Sequence, residues 1–181
     1  MTKGLKIKIK GKEFFLLTDT VFCLSKPEDG ITLSEAILTE AKNHKRALPE
    51  VVGFVGEGFP LLANLSILEN ALLPVLWHGI MSKDRAMERF RFLSEKLGLW
   101  DLRHARKDAL TEEELFRAGL LRAMMAGPEW LYIDFETSER MALNFTRWFR
   151  DLFPEERPKI LISVVSPSMC PEGFQEVKLH A

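Results

Sequence analysis

The stretch from Val51 to Asp134 constrains the chain most. Residues 51–55 form an apolar run that reads as a buried strand, and Trp130 to Asp134 reads as another. Between Ser66 and Gly127 three helical patterns follow one another with no strand between them. Ile67, Ala71 and Val75 mark the first, with a break expected near Pro74. Ser82 caps the second, where Ala86, Phe90, Leu93 and Leu97 recur at helical spacing until Gly98. Thr111-Glu-Glu-Glu114 is a capping box for the third, which runs through Leu115, Ala118, Ala123 and Met124 and stops at Gly127-Pro128. Two buried strands around an all-helical insert imply an α/β core carrying a side domain.

The flanks fit that plan. Leu5, Ile7 and Ile9 alternate with Lys6, Lys8 and Lys10, which predicts a strand with one wet face. Gly11-Lys12 turns the chain, and residues 13–18 and 20–24 complete a small β-meander. Residues 26–30 read as a turn, and Thr32-Leu-Ser-Glu35 predicts a helix from there to about residue 47, ended by Pro49. After Asp134, Ser138 caps a helix with Met141, Phe145, Trp148 and Leu152 on its inner face, and Pro154 stops it. Residues 159–165 and 174–179 are strands, the first buried on both faces if the sheet is parallel.

At 181 residues the chain is long enough for one domain with a real core. Its net charge of −1 supplies no basic field for nucleic acid. Cys23 and Cys170 show no metal spacing, the four histidines form no HExxH pair, and two buried thiols in a reduced chain are expected. The first ten residues carry no apolar signal region, and residues 71–77 are too short a run to cross a bilayer. A cytoplasmic protein able to sit on the inner face of the cell membrane is the expectation.

Four pieces, in order, resemble the ATP-binding subunit of an ABC transporter of the lipoprotein-releasing, macrolide-exporter and cell-division type. They cover about two thirds of the chain, residues 51–179. The first is Val52-Gly-Phe-Val-Gly-Glu-Gly-Phe-Pro-Leu-Leu-Ala-Asn-Leu-Ser-Ile-Leu-Glu-Asn70, followed by Leu73-Pro-Val-Leu-Trp-His-Gly79. It is similar to the family's Q-loop strand and the words after it, with Glu57 in place of the glutamine that touches magnesium and the attacking water. The second, residues 110–124, matches the signature helix at Arg117, Arg122 and Ala123. Thr111, Glu112 and Glu113 stand there where the family has Ser-Gly-Gly. The third, residues 128–137, puts Asp134 at the Walker B aspartate and Phe135 at the catalytic glutamate, with Glu136 one residue late. The fourth, residues 160–167, puts Val165 at the switch histidine. The phosphate-cradling string GxxxxGK[ST] does not occur. The resemblance is therefore to a degenerate subunit without Walker A.

That resemblance implies a truncated P-loop-NTPase-like core, residues 1–65 and 128–181 of one domain, with residues 66–127 as the helical subdomain. Carboxylates at Glu57, Glu112 and Glu113 repel a γ-phosphate, and the phenyl ring of Phe135 polarises no water. The expectation is a pseudo-ATPase: not an enzyme, taking neither ATP nor Mg²⁺, with no metal site. In the family, a cleft beside the Q-loop receives a helix of the membrane permease. Phe59, Leu61, Leu62, Leu65, Leu73, Leu76 and Trp77 are the candidates for that groove, with core packing as the competing role. Expected partners are a permease, an intact ABC ATPase subunit or a second copy. Two alternatives stay open: a divergent NTPase using Asp134 with Glu57 or Glu136, and a soluble scaffold unconnected with transport.

Overall fold

The computed structural model describes residues 4–135, 139–154, 157–165 and 173–179, with backbone alone for 139–144. The predicted Ser138 cap, Met141 side chain, Glu136, Cys170 and His180 lie outside that description. The chain divides into two compact units, Met1–Lys45 with Tyr132–Ala181, and Arg46–Leu131.

The first unit starts with a hairpin. β1 (Leu5–Ile9) and β2 (Lys12–Leu16) pair antiparallel, with Leu5, Ile7 and Ile9 buried and Lys6 and Lys8 in solvent. Lys10 and Gly11 both have positive φ, 48° and 79°, as a tight hairpin turn requires. β3 (Thr20–Leu24) leaves the hairpin and pairs in parallel with β6 (Lys159–Val164) and β7 (Gln175–Leu179). Within this unit the neighbours run β5 (Trp130–Asp134), β6, β3, β7. All of β3 is buried, which is why its sequence is continuously apolar apart from Thr20.

α1 (Glu28–Lys42) corrects the turn expected at residues 26–30 and the cap expected at Thr32. Pro27 stands at the N-cap, Glu28 and Asp29 favour the helix dipole, and the buried Asp29 carboxylate meets Lys10 Nζ at 2.9 Å. The Ser34 hydroxyl donates to the Ile31 carbonyl and caps nothing. The helix also ends five residues short of expectation, because Pro49 opens α2 (Leu48–Val51) and does not close α1. In α6 (Glu139–Leu152) the buried ridge is Phe145 and Phe149, continued by Phe153 beyond the helix end. Ring centroids lie 5.2 and 5.0 Å apart along it, while Trp148 and Leu152 are only half-buried.

The second unit packs α5 (Glu112–Met124) on β4 (Val52–Val55). The packing is close enough that a Cβ on Gly53 would meet the Ala123 carbonyl oxygen at 2.7 Å. α3 (Ile67–Trp77) and α4 (Lys83–Lys96) complete it. The Ser82 cap and the Thr111–Glu114 capping box form as expected, and Ser66 with Glu69 adds a box of its own. Pro74 does not break α3. The buried Asn70 side chain anchors the helix to the preceding loop, accepting from Leu62 N–H and donating to the carbonyls of Leu62, Leu65 and Ser66. None of the described helices is long and apolar enough to cross a membrane.

Candidate functional site

In the second unit, Val55 ends β4 and the chain turns through Gly56, whose φ of 139° suits glycine. Glu57 stands exposed in that turn. Phe59 folds back onto Phe54 with ring centroids 4.6 Å apart. Arg122, in the last turn of α5, donates to the carbonyl oxygens of Phe59 and of Pro60, the latter at 2.7 Å. A groove of about 490 Å³ opens beside this turn. Leu48, Pro49, Phe54, Pro74 and Ala123 form part of its apolar walls, and Arg122 and His78 are its only ionisable lining groups.

The seven residues predicted for a docking groove divide. Phe59, Leu73 and Trp77 line it. Trp77 is 81% exposed, while Leu62, Leu73 and Leu76 are also open to solvent. Leu61, at 7% exposure, is a core residue, and Leu65 is half-buried outside the lining. Leu48, Pro49, Phe54, Pro74, His78 and Arg122 were missed. Pro49 and Pro74 read as helix breakers, and nothing local in the sequence puts the α5 residue Arg122 beside α3.

The motif-equivalent positions are spread over both units. Thr111 caps α5, and Glu114 is the partner in its box: the Thr111 main-chain N–H and then its hydroxyl hold that carboxyl below the usual range. Glu112 and Glu113 stand exposed in the first turn, where Glu113 pairs with Arg117. In the first unit, Asp134 ends β5 and accepts a 2.8 Å hydrogen bond from the Ser163 hydroxyl. Ser163 in turn lies 2.9 Å from the Tyr132 hydroxyl in the core. Phe135, 5% exposed, packs on Phe145 at 5.8 Å, and its N–H donates to the Ser163 carbonyl. Core packing thus explains a phenyl ring there. Val165 is half-buried just past β6.

At the junction between β3 and α1 in the first unit a parallel strand feeds a long helix. Such a helix start welcomes an anion. Here Glu28 and Asp29 fill its first turn, and the Lys10 hydrogen bond holds Asp29 below the usual carboxylate range despite its burial. The three connecting residues, 25–27, contain no glycine.

An α/β fold with a parallel sheet is that of an ABC ATPase cassette, as the expected fold class had it. The ATP-binding cassette MJ0796, in a dimeric post-hydrolysis state bound to ADP and Pi, superposes with a TM-score of 0.59 over 91% of this chain and 85% of its own, at 17% identity. The chain is similar over 116 residues (62% of its length, 49% of the relative's) to an ABC transporter ATP-binding protein of Thermotoga maritima, at 32% identity. It is 31% identical over 125 residues, 64% of its length and 53% of the relative's, to the lipoprotein-releasing system ATP-binding protein LolD of Koribacter versatilis. The chain thus spans about half the length of these relatives. No protein-family model matches it. Its relatives are ABC-transporter ATP-binding subunits.

These findings correct two expectations: that the chain is no enzyme, and that it takes neither ATP nor Mg²⁺. The relatives are ATP-binding proteins. The substitutions at Glu57, Glu112, Glu113 and Phe135 speak only for charge and shape at those positions. A relationship spanning 116 residues rests on many more positions than those four.

Proposed function

We propose that the chain is a component of an ABC transport complex. It docks on a membrane permease through the groove of its second unit, works beside an ATPase subunit, and sits on the cytoplasmic face of the membrane. The observation that carries this is Trp77, 81% exposed at an apolar groove. A large aromatic side chain beside an apolar concavity, with exposed Leu73 and Leu76 on the same helix, is what a buried interface anchor looks like before its partner arrives. The test is purification of the tagged chain from detergent extracts of its own cells. A membrane-spanning permease is expected to co-purify with the native chain and to be lost with Trp77→Ala; recovery of no permease contradicts the proposal.

A second reading has its own support. Asp134 is oriented by Ser163, and the relatives are named as ATP-binding. In that reading Asp134 serves nucleotide chemistry. Calorimetry with Mg-ATP decides it: binding that Asp134→Ala abolishes supports it, and binding unchanged in that variant removes Asp134 from the site.

A further inference from the structure

The groove of the second unit carries a charge that nothing in its walls answers. None of its lining side chains is a carboxylate. Arg122 directs its guanidinium at two neutral acceptors, the carbonyl oxygens of Phe59 and Pro60, and burial pulls its pKa below the usual arginine range. Three other arginines of the same unit meet carboxylates. Arg46 pairs with Glu50 and Glu129, Arg91 with Glu95, and Arg117 with Glu113. Arg89 donates to the Met124 carbonyl at the C-terminal end of α5, where the helix dipole favours a cation. Among the described residues Arg122 has no carboxylate partner.

A guanidinium has five N–H donors, so two carbonyl bonds leave it able to bind a carboxylate as well. We infer that the groove's occupant is an amphipathic segment that lays apolar side chains against Leu73, Pro74 and Trp77 and brings a carboxylate to Arg122. The inference rests on the docking function proposed above and names the chemistry of the docking partner. An apolar segment alone would bury the Arg122 charge further without compensation, which costs free energy. A basic segment would add repulsion. An acidic group flanking an apolar ridge satisfies both the walls and the charge.

Three labelled amphipathic helical peptides, identical except for one flanking Glu, Gln or Lys, test this by fluorescence anisotropy on the full chain. The Glu peptide is expected to bind the native chain about tenfold more tightly than the Gln peptide, with Lys weakest, because a charge-assisted pair forms in a partly desolvated site. Arg122→Gln should bring all three within about twofold of one another, and Arg122→Lys should keep the order with a narrower gap, having lost the guanidinium fork. Equal affinity of the three peptides for the native chain overturns the inference, whatever the variants do. If that equality comes with a uniform loss in Trp77→Ala, the docking function stands without it. No binding by any peptide while a permease still co-purifies overturns the inference alone; no peptide and no permease overturns both. Self-association in sedimentation that Arg122→Gln abolishes also overturns it, since the occupant is then a second copy.

Discussion

The first unit and the groove of the second treat their charged groups in different ways. In the first, buried and half-buried carboxylates are answered from within. Asp19 accepts from Arg150, Arg157 and the main-chain N–H of Ile160, Asp29 meets Lys10, and Asp134 takes the Ser163 hydroxyl. In the second, the groove leaves Arg122 facing two neutral carbonyls and Trp77 facing water. Groups that are closed on themselves hold a fold together. Groups left open at a concave apolar surface are suited to hold something else. On the docking function proposed above, the difference separates what this chain needs in order to fold from what it offers a partner.

Breaking the closed side should produce the largest effects. Asp19→Ala is expected to cost about 3–5 kcal/mol, because two arginines and a buried N–H lose their acceptor; urea unfolding measures it. Acid sharpens the point. Burial pushes the Asp19 carboxyl up, but the hydrogen bonds from Arg157 and Ile160 and the Arg157 charge outweigh it and hold the pKa below normal. A depressed folded-state pKa gives stability that is present above the unfolded value of about 3.9 and lost as pH falls through the folded one. The native chain should therefore lose stability more steeply below about pH 4 than Asp19→Asn does. Equal slopes would remove Asp19 from the account.

In the second unit, fully buried Phe90 gives the same scale: Phe90→Ala should cost about 3–5 kcal/mol in a cooperative melt. Ser66→Ala removes the cap of the helix that presents Trp77 and should cost about 1 kcal/mol. Trp77→Ala should change stability least, by under about 0.5 kcal/mol, because the ring is exposed. If it destabilises as Phe90→Ala does, the ring is part of the fold and the contrast between the units fails.

Much of the fold was legible because its signals are local. Alternation marked β1, continuous apolar runs marked β4, β5 and β6, and capping boxes marked α5. Where reading failed, a distant residue had decided. α1 starts at Glu28 with Asp29 meeting Lys10 from another element, and Thr32-Leu-Ser-Glu35 is a cap pattern inside a helix already under way. Pro74 is tolerated inside α3, a helix whose Asn70 clamps the preceding loop. Periodicity alone put Trp148 and Leu152 on the inner face of α6; the aromatic stack from Phe135 through Phe145 and Phe149 moved that face. The groove was half legible. Exposed Leu73 and Trp77 lie in one apolar word, but Arg122, 45 positions after Trp77, reaches the groove only through the packing of α5 on β4. The motif positions invited the opposite error, in which four substituted residues were given the weight of the whole relationship.

Hydrogen exchange on the chain, with and without the detergent-purified permease, tests most directly whether the open groove is the docking surface. The account predicts protection concentrated on residues 48–62 and 73–78, reduced in Trp77→Ala while the unbound variant exchanges like the native chain. Protection confined to the start of α1 and the end of β5, with residues 73–78 unchanged, would contradict it.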